Sequence, residues 1–141
     1  MDERLYRCLK EDDWGVLLVS IDNLDSFREA YGFVASDDVL RAISLMINHA
    51  VRELGTEDDM VGQFSPNEFI VVTGSRAILP MKNRIQNRLG QSLDYFYPVK
   101  DRGRELAKGE RLTSSLYYLT AKQGPFSDLN QLKNRISTQR R

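Results

Sequence analysis

The sequence has one cysteine, Cys8, and one histidine, His49. A lone cysteine cannot close an intrachain disulfide, and these two residues cannot build a zinc cluster. No Ser/His/Asp arrangement and no phosphate-binding glycine loop supplies another catalytic reading. His49, beside Asn48 in a helical pattern, reads as a surface or partly packed residue. Net charge is missing too: 20 Lys and Arg balance 20 Asp and Glu, so nothing global draws the chain to nucleic acid or to a membrane. No apolar run approaches the ~18 residues that span a bilayer. Met1 leads straight into Asp2, Glu3 and Arg4, without a signal-peptide pattern, so the expected location is the cytoplasm. Repeats and low-complexity linkers are absent as well.

What is present suits one ordinary domain: 141 residues, 41% hydrophobic and 28% charged. The neutral total hides an asymmetry. Residues 1–75 carry 6 Lys/Arg against 15 Asp/Glu, and residues 76–141 carry 14 against 5. If the halves segregate, the molecule has an acidic and a basic face suited to head-to-tail association. If they interleave, this is ordinary solvated surface.

Along the chain, Glu3 to Leu9 reads as a short helix that holds Cys8 and ends by Gly15. Val16-Leu17-Leu18-Val19-Ser20-Ile21 is a nearly unbroken apolar run, the pattern of a central strand buried on both faces. Its one polar member, Ser20, stands near the strand end, where ligand chemistry often sits in helix-covered sheets. Asp22-Asn23 can cap a helix carrying Leu24, Phe27 and Tyr31 and stopping at Gly32. Ser36 followed by Asp37 and Asp38 marks a second helix start. From Val39 to Leu54, apolar residues recur at helical spacing until Gly55. Met60 to Thr73 reads as two strands around a Ser65-Pro66-Asn67 turn. A helix over Leu79–Leu89 ends at Gly90. Tyr95-Phe96-Tyr97 and Leu112–Thr120 read as two more strands, joined by a charged loop from Lys100 to Glu110. Pro125 and Ser127 open a last short helix. The order β-α-α-β-β-α-β-β-α predicts an α+β fold, with a mostly antiparallel sheet of about five strands flanked by helices, related to the ferredoxin-like plan.

Two segments resemble the GGDEF family, the diguanylate cyclase module of bacterial signalling. Val16 to Leu40 is similar to the family's apolar strand ending Asp-x-Asp and the helices after it. Val61 to Val72 is similar to its Gly-Gly-Asp/Glu-Glu-Phe turn and following strand. The spacing between the two also agrees, and the resemblance covers nearly the whole chain. It implies a nucleotidyl-cyclase-like fold and a chemistry in which two GTP molecules, one on each half of a dimer, are joined into cyclic di-GMP. In that chemistry Mg²⁺ held by carboxylates neutralises the triphosphate and activates the attacking hydroxyl.

Carried over residue by residue, the resemblance implies a degenerate site. The metal positions fall on Ser20, on Ile21 between the two acids of the motif, and on Asn67, so both metal carboxylates are replaced by neutral groups. The two turn glycines fall on Ser65 and Pro66, and proline fixes φ and donates no hydrogen bond. Glu68, Phe69 and Asp22 match. Of the guanine-reading pair, Asp37 is present, but Arg28 stands where an Asn is typical, and a guanidinium cannot accept a hydrogen bond. Phe33 replaces the family's His. The product-inhibition site keeps its acid as Asp59 without its arginine.

The expectation is therefore no catalytic residue, no metal and no cofactor. Asp37 and Arg28 are the remnant of a guanine site, and the partner is a protein or a second copy. The whole chain, 1–141, is expected to be one such domain, excised from a longer signalling protein in a cyclic di-GMP or two-component setting. The alternative is a weakly active cyclase or a GTP-binding regulatory domain, with Mg²⁺ and GTP as ligands. A nucleic-acid role lacks its basic-aromatic signature. Tyr95, Phe96, Tyr97, Tyr117 and Tyr118 read as packing residues.

Overall fold

The apolar run beginning at Val16 becomes the middle of a sheet. In the computed structural model, which describes residues 14–55, 59–74, 76–98, 100, 111–120 and 134–135, it forms β1 (Gly15–Asp22), buried along almost its whole length. β3 (Glu68–Thr73) and β4 (Thr113–Thr120) pair with it on either side, both antiparallel. β2 (Met60–Ser65) pairs with β3, giving the order β2-β3-β1-β4. Because side chains alternate across a strand, Leu17, Val19 and Ile21 join one core cluster while Val16 and Leu18 join another with Trp14, Ile70, Val72 and Leu119.

Three helices supply the rest of the larger cluster. They are α1 (Leu24–Tyr31), α2 (Phe33–Leu54) and α3 (Ile78–Ser92). α2 buries Val39, Ile43, Ile47 and Ala50, and α3 buries Ile78, Met81, Ile85 and Leu89. Each set is one face of a 3.6-residue repeat, and each of the Val, Ile, Leu and Met side chains is worth about 1.5–3 kcal/mol of burial. Glu53 ties the two helices at the surface. It takes a hydrogen bond from Arg84 and further contacts from Arg88 and His49.

The fold class is the expected mixed α+β one, with four strands among the described residues instead of about five. Tyr95-Phe96-Tyr97 is not a strand. α3 runs directly into a short 3-10 helix (Leu93–Phe96), and helical spacing turns Leu93, Phe96 and Tyr97 toward the core, leaving Tyr95 68% exposed. Tyr117 and Tyr118 are half-buried and pack against the two different clusters. Gly90 does not end α3, because packing of Leu89 and Leu93 carries the helix past it.

Two helix starts also differ from expectation. Asn23 is left-handed (φ 67°) and makes no side-chain cap. α2 begins at Phe33, with Ser36 inside its first turn. The break before α2 is supplied by Gly32, whose φ of 96° a residue with a side chain rarely adopts. The predicted Glu3–Leu9 helix with Cys8 and most of the Lys100–Glu110 loop lie outside the described residues. So does most of the final helix, of which Asn134 and Arg135 are helical.

Candidate functional site

The ends of β1 and of the β2–β3 turn meet because Ser20 registers with Glu68. Just past that pair, the Asn67 carbonyl accepts from the Ile21 amide at 2.9 Å. The Asn67 side-chain amide donates back to the Ile21 carbonyl at 3.0 Å. The three positions expected to be metal positions, Ser20, Ile21 and Asn67, are therefore brought together, and hydrogen bonds join Ile21 to Asn67.

Asp22 is engaged in the same way. Its Oδ1 accepts from the Ser20 hydroxyl at 3.2 Å. Its Oδ2 accepts from Ser115 at 2.6 Å and from Thr113 at 3.5 Å, both on β4. Across the turn, Ser65 donates to Glu68 at 2.6 Å and to the Asn67 side-chain oxygen at 3.2 Å. Glu68 is 5% exposed and Phe69 is buried in the main cluster.

A magnesium triphosphate needs several hard oxygen donors turned outward. Here the Ile21 carbonyl is occupied by an amide and Asp22 is surrounded by hydroxyls. Among the described residues, no group of three or more His, Cys, Asp or Glu side chains is placed to hold a metal ion. The residues present do not fit that ion.

A cleft of about 640 Å³ opens beside this network. It is lined by Asn23, Leu24, Asp25, Ser26, Arg28, Pro66 and Asn67. Pro66 forms part of its wall where the backbone of a glycine would lie open. Arg28 lines the cleft but is held by its own neighbours. It donates to the Ser36 hydroxyl at 3.2 Å and to Asp25 at 3.3 Å, and its guanidinium stacks over the Phe33 ring at 5.2 Å. Ser36 in turn donates to the Phe33 carbonyl at 2.9 Å. Asp37, the other expected guanine residue, is exposed on α2 and does not join this set. Asp59, expected as the remnant of a product-inhibition pair, accepts from the Thr73 hydroxyl at 2.7 Å and so fastens the start of β2 to the end of β3.

The family described as diguanylate cyclase, GGDEF domain, matches residues 1–105. The chain belongs to the GGDEF family. Its fold is similar to that of the GGDEF domain of DgcB from Caulobacter crescentus, solved in complex with c-di-GMP. That likeness has a TM-score of 0.67 at 11% identity, over 97% of this chain and 76% of that one. It is also similar to the GGDEF domain of YfiN, or TpbB, from Pseudomonas aeruginosa, with a TM-score of 0.57 at 22% identity over 82% and 68% of the two chains. Diguanylate cyclase SiaD of Pseudomonas aeruginosa, solved with its activator SiaC, gives 0.63 at 16% identity, over 97% of this chain and 52% of that one. Comparison with curated proteins finds no match.

Within a GGDEF domain, the Asp22 partners Ser115 and Thr113 and the Arg28 partner Ser36 were not singled out from the sequence as site residues. The signal for the first pair is the polar run Thr113-Ser114-Ser115 opening an otherwise apolar strand, in register with Asp22, Ile21 and Ser20. Asn23 donates to the Arg111 carbonyl at 2.8 Å, a contact across 88 residues that no local pattern announces.

Proposed function

We propose that this GGDEF domain is catalytically inactive and serves as a signalling or protein-interaction module in a cyclic di-GMP or two-component setting. The observation that carries this reading is the Asn67 amide bonded to the Ile21 carbonyl. An amide donor is used where the family's chemistry needs an anionic acceptor facing a cation. Ser20, 1% exposed and bonded to Asp22, completes the same replacement. Each lost charge-assisted contact is worth about 1.5–3 kcal/mol, and two are lost from one cluster.

Protein contact is the output this reading implies, with a second copy or another protein as partner. The activator complex of SiaD is a precedent within the fold. The location expected of such a module is the cytoplasm, and no described helix is long and apolar enough to cross a membrane.

A second reading is that GTP is still held without turnover. The open cleft beside Arg28 favours it. Calorimetric titration with GTP and Mg²⁺, alongside a product assay, tests both. Cyclic dinucleotide formation would overturn the inactive reading. Saturable heat without product would move the domain to the second.

A further inference from the structure

We propose that the solvent face of α2 is a seam on which a second copy of this chain docks antiparallel. This rests on the reading above that the domain works through protein contact, and it names the surface and the partner. Val34, Asp38, Arg41, Leu45, Asn48 and Arg52 follow one another in steps of four and three, the heptad spacing of a helix-pairing stripe. They lie opposite the buried face formed by Val39, Ile43, Ile47 and Ala50. A solvated helix face has no need of large apolar groups, yet Val34 is 77% exposed, Leu45 68%, and neighbouring Phe33 72%. Next to Leu45, a groove of about 370 Å³ between α2 and α3 is lined by Leu45, Met46, Asn48, His49, Arg52 and Arg88.

Charge complementarity selects the partner. A parallel pairing of two such stripes sets Asp38 on Asp38 and Arg41 on Arg41. An antiparallel pairing about a two-fold axis between Val39 and Leu40 sets Val34 against the second copy's Leu45 and Asp38 against the second copy's Arg41, each contact occurring twice by symmetry. Apolar then meets apolar and acid meets base. The helix dipoles are also opposed, which is favourable. Within one copy, Asp38 and Arg41 are 4.0 Å apart with side chains 65% and 76% exposed, a weak pair that gives up little when it exchanges partners. A different protein would need to carry the reverse of the Val34, Asp38, Arg41 and Leu45 part of this stripe, and the chain supplies that reverse itself.

Sedimentation equilibrium at concentrations up to about 1 mM, the weak end for a small interface, is expected to show a monomer–dimer equilibrium. Asp38→Arg alone, or Arg41→Asp alone, faces like charges across the seam twice and should raise the dissociation constant by about tenfold or more. Mixing the two single variants restores unlike pairs and should regain wild-type affinity as a heterodimer. A chain carrying both substitutions should regain it as a homodimer. These side chains are exposed, and rescue by the swap separates lost docking from lost folding. A monomer throughout, or a dimer that the single reversals leave unchanged, would overturn the seam. A product assay on the same samples keeps the two proposals apart. An inactive monomer sinks the seam alone, and an active dimer sinks only the claim of inactivity.

Discussion

Asn67 and Ile21 are joined twice, amide to carbonyl in each direction, at 2.9 Å through the backbone and 3.0 Å through the Asn67 side chain. The second bond makes the turn residue a clasp on the end of β1. Only a side chain with both a donor and an acceptor can make it while also receiving the Ser65 hydroxyl. The neutral residue at this position therefore has a structural use of its own.

Asn67→Asp replaces the donor with an anion facing a carbonyl oxygen. The expected loss is about 1–3 kcal/mol at neutral pH, the usual cost of a broken, partly buried hydrogen bond left with repelling partners. Protonation would let the new carboxyl donate again, so its folded pKa is raised. The deficit should shrink as pH falls through that raised value and vanish below the ordinary aspartate value of ~3.9. Urea unfolding at a series of pH values measures it, and a variant as stable as the parent at pH 7 would refute the clasp.

Ser20→Asp combined with Asn67→Asp places two carboxylates beside Asp22. Without a cation they repel, and Ser20 is a buried position, so melting in EDTA should fall below that of the parent. Mg²⁺ should then raise the melting temperature of the double variant by a few degrees, about 3–4 °C per kcal/mol of binding for a domain of this size. The parent should not respond. An equal rise in the parent would mean that its own donors suffice.

Periodicity made most of the fold legible. β1, the β2–β3 hairpin and the buried face of α2 each follow from local runs of apolar residues, because one side of each element must face the core. The failures occur where a tertiary contact overrides a local preference. Asn23 is a good cap by type, but its side chain is drawn to Arg111 and its backbone becomes left-handed. Tyr95-Phe96-Tyr97 has strand composition, yet the chain turns through a 3-10 helix over Leu93–Phe96 and delivers Tyr97 edge-on against Phe27 at 5.2 Å and Tyr31 at 5.6 Å. At the site, the resemblance pointed to Ser20, Ile21 and Asn67, which strand pairing brings close to one another. The hydroxyls of β4 that surround Asp22 depend on strand register, which the polar run Thr113-Ser114-Ser115 alone does not give.

Glu53 joins α2 to α3 and predicts an acid limb of stability. Desolvation against α3 alone would raise its carboxyl. The hydrogen bond from Arg84, then the charges of His49, Arg88 and Arg84, outweigh that and hold it below the ordinary 4.5. A lowered folded pKa contributes stability that is present above 4.5 and lost as pH falls through the folded value. Glu53→Gln should therefore melt lower than the parent at neutral pH, and the gap should close in acid. Melting curves between about pH 3 and 7 test this, and a gap independent of pH would refute it.

Tyr97 predicts the opposite limb. Burial pushes its hydroxyl above the ordinary 10.0, although the bond it accepts from the Leu112 amide at 2.8 Å pulls the other way. Tyr97→Phe leaves that buried amide without its acceptor and should cost about 1–3 kcal/mol at neutral pH. A raised folded pKa contributes stability that is complete below pH 10 and is lost as pH rises through the folded value. The parent's advantage over the variant should therefore narrow above that pH, as urea midpoints at neutral and alkaline pH would reveal.

Two glycines with equally open surroundings should respond in opposite directions. A Cβ added at Gly32 or at Gly90 meets no atom within 4 Å, so neither substitution is decided by space. Gly32 holds φ 96° at the break between α1 and α2, a conformation that costs a residue with a side chain on the order of 1–3 kcal/mol. Gly32→Ala should be destabilising by that amount. Gly90 sits inside α3, where alanine loses less chain entropy on folding and is a better helix former. Gly90→Ala should stabilise by about 0.5–1 kcal/mol. If urea unfolding gave both variants the same sign, backbone conformation would not be what separates the two positions, and the break between α1 and α2 would need another cause.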